Sequence, residues 1–267
     1  MIQFHVYPGG VKRVVTFSFD DGHPNDARLI AMMNQYGLRG TFHINKLPQQ
    51  NSAEALNAEL QAVYGTHEMA CHTLSHGWPS RMPLSSLVTE IMQNRAELER
   101  ISGYPVVGMS YPSGSYSTEV KSVMAACGIQ YARTTKDTDD FDLPEDLLEW
   151  HPTCHFKSAA PAVARFLQGL DSQWMKPLLY IWGHSHELRC EQDWTDLGRL
   201  FSSLAGHPEI WYATNGELAD YLQAQRMLKV SVDETHFHNP SAIAVWVERD
   251  KCERLCIPAG QSLTASK

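Results

Sequence analysis

Short apolar segments alternate along most of the chain with segments whose apolar positions recur at helical spacing. Residues 14–19 combine β-branched and aromatic side chains and are typical of a buried strand, whereas residues 24–36 place apolar side chains three and four positions apart. Gly37 ends that predicted helix, and Ser85 or Ser86 is expected to cap a later one. The same reasoning predicts further strands at 40–44, 68–71, 106–111, 129–133, 177–182 and 210–213. It predicts further helices at 53–64, 83–101, 117–127, 160–169, 194–205 and 216–224.

Strands that alternate with helices need crossover connections, and such connections make a sheet parallel. The repeated units predict an α/β fold, namely a distorted (β/α) TIM-like barrel with about seven parallel strands. The chain of 267 residues is long enough for it. After about residue 225 the pattern changes, and residues 229–232 and 242–248 alternate as antiparallel strands do. We therefore predict a barrel over residues 1–224 and a small β-rich C-terminal extension over residues 225–267 that packs on it.

Composition and charge narrow the classes of partner. The hydrophobic fraction of 43% and the charged fraction of 19% are those of a soluble globular protein. A net charge of −8 without clustered Lys and Arg argues against a nucleic-acid partner. No apolar run approaches the roughly 20 residues of a membrane helix, and residues 1–8 do not resemble a secretory signal. We expect a cytoplasmic protein that does not associate with membranes.

Six cysteines are scattered along the chain without the spacing of a disulfide framework. They are expected to be reduced thiols, as is usual in the cytosol. Cys71 precedes His72, and Cys154 precedes His155. Both cysteines are interpreted as small buried residues rather than metal ligands.

Candidate chemistry lies where two predicted strands end. The first strand runs into Asp20, Asp21 and Gly22, so that one carboxylate is available to a cation while the other stays free. About fifty residues later, His72 and His76 stand four positions apart and meet on one face if the backbone forms a helical turn there. One Asp with two His makes an open three-ligand site, which suits a catalytic divalent metal.

These segments resemble the polysaccharide deacetylase family, whose shared unit is called the NodB-homology domain, over roughly residues 14–221. The family's first motif is similar to Thr16 through Gly22, and its second to His72 through His76. The resemblance implies that Asp20 is the general base and that Asp21, His72 and His76 bind the metal. It also implies that Ser75 orients the second imidazole or its turn.

The third motif of the family carries an arginine that pairs with the catalytic Asp. Here the stretch containing Tyr111, Pro112 and Gly114 begins with Ser110 in place of that arginine. Arg133 ends the next predicted strand at the same rim, and we hypothesise that it supplies the missing charge, the alternative being a surface arginine. By the resemblance, the backbone N–H of Tyr111 holds the oxyanion, and Pro112 and Gly114 help to line the substrate site.

The family's last motif is a strand that leads to the histidine acting as general acid. His184 follows the strand 177–182 at once and is preferred to His186, which lies farther from the barrel mouth. Trp182 precedes it and is predicted to contact substrate. Trp150 is a second aromatic candidate for the wall of the site, although it fits equally a place in the core.

The resemblance implies a metal-dependent hydrolase that removes N-acetyl or O-acetyl groups from a carbohydrate. Zn²⁺ is the expected ion, and Co²⁺, Ni²⁺ or Fe²⁺ suit the same ligands. The missing arginine and the missing signal leave open a metal-dependent amidohydrolase that acts on a small non-sugar amide or cyclic ureide. A non-catalytic carbohydrate-binding relic is the third reading, and the oligomeric state is open.

Overall fold

The computed structural model describes residues 1–45, 53–172 and 174–265 of the chain. Within these described ranges, strands and helices largely alternate up to Met227, and only strands follow as far as residue 265. The strands are β1 (Ile2–Gln3), β2 (Arg13–Asp20), β3 (Gly40–Ile44), β4 (Glu68–Cys71), β5 (Gly108–Ser110), β6 (Tyr131–Arg133), β7 (Cys154–His155), β8 (Leu178–His184), β9 (Ile210–Tyr212), β10 (Lys229–Val230), β11 (His236–His238), β12 (Val245–Arg249), β13 (Glu253–Ile257) and β14 (Ser262–Thr264). The helices are α1 (Asp26–Gln35), α2 (Ala53–Tyr64), α3 (Leu84–Ser102), α4 (Thr118–Ala126), α5 (Ala160–Gln168), α6 (Glu191–Leu204) and α7 (Asn215–Met227).

A parallel sheet forms the body of the molecule. Its strands follow the order β6-β5-β4-β3-β2-β8-β7, and β9 pairs with the beginning of β2. All eight residues of β2 are buried, because neighbours flank this central strand on both edges and helices cover the sheet. The predicted α/β barrel with about seven parallel strands is confirmed, and the carboxyl ends of its strands meet at one rim.

The segment around Trp150 joins the two ends of this sheet. Trp150 forms a parallel bridge with Arg133: its N–H donates to the carbonyl of Ala132, and its carbonyl accepts the N–H of Thr134, both at 2.9 Å. A few residues later, the Thr153 N–H donates to the carbonyl of Tyr180 in β8 at 2.8 Å. The curled sheet is thus closed by one short stretch of chain.

The extension after α7 contains two small antiparallel sheets, as the alternating pattern predicts. One has the order β10-β11-β14, and the other has the order β1-β12-β13. Their shared apolar cluster consists of Ala224, Phe237, Val245, Val247 and Ile257. The sequence did not reveal that β1, from the beginning of the chain, belongs to this region, because a two-residue strand carries no recognisable pattern. The boundary at residue 225 remains a prediction, and α7 itself continues to Met227.

Two predicted details of the helices are wrong. Helix α3 begins at Leu84 after Pro83, without a side-chain cap, so Ser85 and Ser86 lie within its first turn. Helix α6 begins at Glu191, because Cys190 and Asp193 form a capping box there ahead of the apolar positions. Among the helices described, none combines the length and apolar character needed to cross a membrane.

Candidate active site

The two carboxylates at the end of β2 reach one cavity because the chain turns between them. Asp20 is the last strand residue and is almost completely buried. Asp21 has a φ of 83°, in the left-handed region, and its N–H donates to the carbonyl of His43 at 2.9 Å. Gly22 follows with a φ of 66°, and a Cβ there would lie 2.8 Å from Ile44 Cγ2. The strand-end Asp-Asp-Gly therefore needs its glycine to bring both side chains to the rim.

Asp21, His72 and His76 converge at this rim. The Asp21 Oδ1 atom lies 3.5 Å from Nε2 of His72 and 3.5 Å from Nε2 of His76. The segment that carries the histidines is not a helical turn, because Thr73 and His76 both have a φ of 57° and the chain between β4 and α3 is irregular there. The two imidazoles meet through these left-handed residues instead.

Hydrogen bonds fix the orientation of His72. Its Nδ1 lies 3.0 Å from the Ser110 carbonyl oxygen and 2.7 Å from the Ser110 hydroxyl. The His72 backbone N–H donates to Asn94 Oδ1 at 3.0 Å, and Asn94 Nδ2 donates to the carbonyl of Ile44 at 3.0 Å. With Nδ1 engaged in this way, Nε2 faces Asp21. Burial lowers the pKa of His72, which favours the neutral imidazole that a metal requires.

The turn that carries His76 is held by a carboxylate that sequence reasoning did not assign to the site. Ser75 donates its backbone N–H to Glu90 Oε2 at 2.8 Å and its hydroxyl to Glu90 Oε1 at 2.9 Å. Ser75 therefore fixes the turn through α3. No motif marks Glu90, because it lies fifteen residues away in the chain.

The three donors fit a divalent metal. One ligand atom from each of Asp21, His72 and His76 lies within 4.8 Å of the others. Ligand atoms about 2 Å from a tetrahedral Zn²⁺ lie about 3.3 Å from one another. The 3.5 Å separations from Asp21 to each histidine are close to that spacing. The donor set also suits other borderline divalent ions.

Asp20 is held by two donors from neighbouring strands. Ser110 donates its hydroxyl to Asp20 Oδ1 at 3.0 Å, and Arg133 donates from Nη2 to Asp20 Oδ2. Arg133 is completely buried, which excludes the alternative that it is a surface arginine. Its Nε donates to Ser18 Oγ at 3.0 Å, and its guanidinium carbon lies 4.4 Å from the centre of the Trp182 ring. Burial, the largest single effect, raises the pKa of the Asp20 carboxyl, but Arg133 acts against it together with His72, His43 and His184. Their combined effect holds that pKa well below its usual range. Asp20 is therefore ionised at neutral pH.

Two histidines from the end of β8 face the two carboxylates. Nε2 of His184 lies 4.0 Å from Asp20 Oδ2, while Nδ1 of His186 lies 3.6 Å from Asp21 Oδ2. The other ring nitrogen of His184, Nδ1, lies 3.6 Å from Glu187 Oε1. His184 is thus the histidine placed beside the predicted base, and His186 is placed beside the predicted metal ligand.

His43 adds a further imidazole that the sequence did not single out. It lies opposite Asp20 in the pairing of β2 with β3 and is completely buried. Burial lowers the pKa of His43 to about 3. Its Nδ1 lies 3.3 Å from the carbonyl oxygen of Cys71. Neutral His43 therefore contributes a dipole, not a charge, beneath the carboxylate.

Tyr111 does not offer its N–H to a substrate, contrary to the prediction. That N–H donates to the carbonyl of Arg133 at 3.0 Å, since the pairing of β5 with β6 continues past the last strand residue. Its ring is buried, and its hydroxyl donates to the carbonyl of Leu148 at 2.7 Å. Pro112 is also buried, and a Cβ on Gly114 would lie 2.1 Å from Thr135 Oγ1. These residues shape the loop beside the site.

The two tryptophans predicted at the site have different surroundings. Trp150 is completely buried against Tyr131 and Tyr180, so it lies in the core and not in the wall of the site. Trp182 is partly exposed, and its ring centre lies 5.7 Å from that of His184. Asp137, which sequence reasoning missed, accepts the Trp182 indole N–H at 2.6 Å and so fixes the ring at the rim.

A comparison with protein families matches residues 9–132 to the model described as polysaccharide deacetylase. The comparison with curated proteins returned no significant match. The matched residues include both carboxylates, His72, His76 and the loop after β5. The family match thus covers the metal-ligand candidates but not His184.

Solved structures extend the likeness to most of the barrel. A polysaccharide deacetylase candidate from Mycobacterium smegmatis has a TM-score of 0.62 at 16% identity and covers 82% of this chain and 93% of its own. A family 4 carbohydrate esterase from Streptomyces lividans, in complex with acetate, has a TM-score of 0.52 at 18% identity and covers 75% and 91%. A family 4 acetyl xylan esterase from Clostridium thermocellum, in complex with a cobalt ion, has a TM-score of 0.51 at 15% identity and covers 77% and 90%. Residues 9–132 thus resemble the polysaccharide deacetylase family, and the solved structures show that the chain shares their fold.

Proposed function

We propose that the protein is a metal-dependent hydrolase that removes acetyl groups from a carbohydrate. The observation that supports this most strongly is the position of Asp20, whose Oδ2 lies 3.9 Å from Nε2 of His72 and 4.0 Å from Nε2 of His184. A potential base thus stands between a metal-ligand candidate and a potential acid. Acetylated carbohydrate is the substrate class because of the family match and the names of the structural neighbours.

Asp20 acts as the general base in this proposal. Its carboxylate is kept ionised by Arg133 and oriented by Ser110, so one oxygen can take the proton of a water that attacks the acetyl carbonyl. The low pKa has two consequences. It keeps Asp20 in the basic form over the whole neutral range, and it makes Asp20 a weak base that depends on a water of lowered pKa. A divalent cation held by Asp21, His72 and His76 would supply that lowering and polarise the carbonyl.

His184 acts as the general acid. In its protonated form it gives the Nε2 proton to the departing nitrogen, or oxygen for an O-acetyl group, as the bond to the acetyl carbon breaks. Acetic acid and the free amine or hydroxyl result, with the proton from water on Asp20 and His184 neutral; exchange of protons with solvent restores the ionised Asp20 and the protonated His184. Trp182, held by Asp137, provides an apolar face next to the leaving group. Water attacks directly in this scheme, and no covalent enzyme intermediate is required.

Acetate release tests the proposal. Protein loaded with Zn²⁺ or Co²⁺ is assayed on N-acetylated chito-oligosaccharides and on O-acetylated xylo-oligosaccharides, beside Asp20→Asn and His184→Ala. We expect either variant to lose about 10²–10⁴-fold in turnover. His238→Ala is the matched control, since His238 is exposed in β11 of the extension, and it should keep full activity. Absence of acetate from both substrates with one metal bound per chain would overturn the proposal, as a carbohydrate-binding relic would give that result.

A further inference from the structure

A second cluster of metal-binding side chains lies on the other side of His184. One ligand atom each from His155, His184 and Glu187 lies within 4.8 Å of the others. His155 comes from β7, His184 ends β8, and Glu187 lies in the short turn after β8. Glu187 Oε2 is 2.9 Å from Nε2 of His155, and Oε1 is 3.6 Å from Nδ1 of His184. These two separations bracket the roughly 3.3 Å expected between ligands of a tetrahedral zinc ion.

Two donor atoms of this cluster are buried without a hydrogen-bond partner. Among the residues that the structure describes, His184 Nδ1 and Glu187 Oε2 are buried atoms that lack a hydrogen bond of acceptable geometry. Nε2 of His155 lies only 2.9 Å from Glu187 Oε2, but the geometry is not that of a hydrogen bond. Unsatisfied buried polar atoms are costly, and a cation is one group that would satisfy both of them while also binding His155. The ammonium of Lys157, 3.9 Å from Glu187 Oε2, is half exposed on a flexible stem and can move aside.

We propose that His155, His184 and Glu187 bind a second divalent cation of the Zn²⁺, Co²⁺ or Ni²⁺ class. Two imidazoles and one carboxylate are a ligand set that such ions accept. This site would use Nδ1 of His184, whereas Nε2 of the same ring faces Asp20. It is thus distinct from the site of Asp21, His72 and His76, but it shares a residue with the catalytic apparatus.

Occupancy of this site has a chemical consequence that rests on the proposed function. An imidazole with a metal at Nδ1 cannot also carry a proton there, so His184 cannot become an imidazolium while the cation is bound. Its Nε2–H would then be a far weaker acid toward the leaving group. A first equivalent of metal should therefore activate the enzyme and a second should inhibit it. Activity would therefore rise and then fall as the concentration of free metal increases.

Equilibrium binding of Zn²⁺ to metal-stripped protein tests the site without reference to activity. Calorimetry is expected to give two classes of site in the wild type. His155→Gln should weaken the second class by at least about tenfold, because even outer-shell changes around a metal cost about 10–100-fold in affinity. The same variant should keep the first class, whereas His76→Gln should keep the second. Lys157→Gln is the matched control in the same turn of chain and should keep both.

Two outcomes would overturn the inference: a single class of site in the wild type up to millimolar Zn²⁺, or a second class unchanged in His155→Gln. Activity separates this inference from the proposed function. Acetate release that excess Zn²⁺ does not inhibit, with one ion bound, would refute the second site and leave the deacetylase. Two classes of site without acetate release would refute the deacetylase and leave the second site.

Discussion

The pairing of Arg133 with Asp20 makes the sharpest prediction for the site. Both side chains are almost completely buried, and Arg133 donates directly to Asp20. Replacing one partner of a buried ion pair strands the other charge, which costs about 3–5 kcal/mol. We therefore expect Arg133→Met to lower the free energy of unfolding by that amount, as measured by urea denaturation at pH 7.5.

A double-mutant cycle separates this charge effect from a simple loss of packing. Asp20→Asn strands the guanidinium in the same way, and the double variant Arg133→Met, Asp20→Asn strands neither charge. The two losses of stability should therefore not add, and the double variant should be more stable than their sum by about 1–3 kcal/mol. If the losses add to within about 0.5 kcal/mol, the pairing of Arg133 with Asp20 does not stabilise the protein.

The pH dependence of deacetylation tests the same pair from the side of function. Arg133 opposes the effect of burial and keeps the pKa of Asp20 low, so its removal raises that pKa. The acid limb of kcat/KM should move upward by about 1–3 pH units in Arg133→Met. Arg133→Lys keeps the charge but not the contact with Ser18, so its acid limb should lie between those of the wild type and Arg133→Met. An acid limb that stays in place in Arg133→Met, or turnover equal to wild type, would show that Arg133 does not hold the base.

Three further predictions concern stability. Burial lowers the pKa of His67 to about 4, so protonation of the unfolded chain makes the protein less stable as pH falls from about 6.5 towards 4. His67→Gln should therefore reduce the change in the free energy of unfolding between pH 7 and pH 5 by about 1–2 kcal/mol in urea titrations. An unchanged pH dependence of stability would contradict this. Burial raises the pKa of Asp26 to about 7, so the folded protein becomes less stable as pH rises from about 4 to 7. Asp26→Asn should be up to about 4 kcal/mol more stable than wild type at pH 8 and equal to it at pH 3. A gain in stability that persists at pH 3 would point to another cause. A Cβ on Gly183 would lie 2.2 Å from Phe156 Cδ1, so Gly183→Ala should cost about 1–3 kcal/mol in thermal denaturation; Gly198→Ala, whose Cβ meets nothing nearer than 3.9 Å, is the matched control, and equal stability of the two variants would exclude the clash.

The chemistry at the ends of strands was largely predictable from the sequence. Asp20, Asp21 and His184 directly end or follow their strands, and parallel strands bring such positions to one rim. Arg133 could be proposed for the same reason, because it ends the strand next to β5. Strand periodicity and connection order determine which residues lie at the rim, so this set of residues could be inferred from the sequence.

Contacts that depend on the third dimension were not predictable. The N–H of Tyr111 is taken by the next strand, a fact of register that no local pattern records. Trp150 was ambiguous because its segment is too short to show which face it turns to the core. Asn94 and Glu90 support the metal-ligand candidates from a helix face, where polar residues are ordinarily solvated. A sequence pattern does not distinguish such residues from surface ones.

The closure of the barrel at Trp150 has a consequence for inactivation by heat. Two backbone hydrogen bonds join this residue to Ala132 in β6 and to Thr134 just after it, whereas seven residue pairs join β2 to β8. Arg133 is the partner of Trp150 in the parallel bridge at this closure. Local opening there would release the guanidinium from Asp20 while most of the sheet stayed paired. Amide exchange at Thr134 should therefore outpace exchange in β2, and activity should disappear on warming before the circular dichroism of the barrel changes.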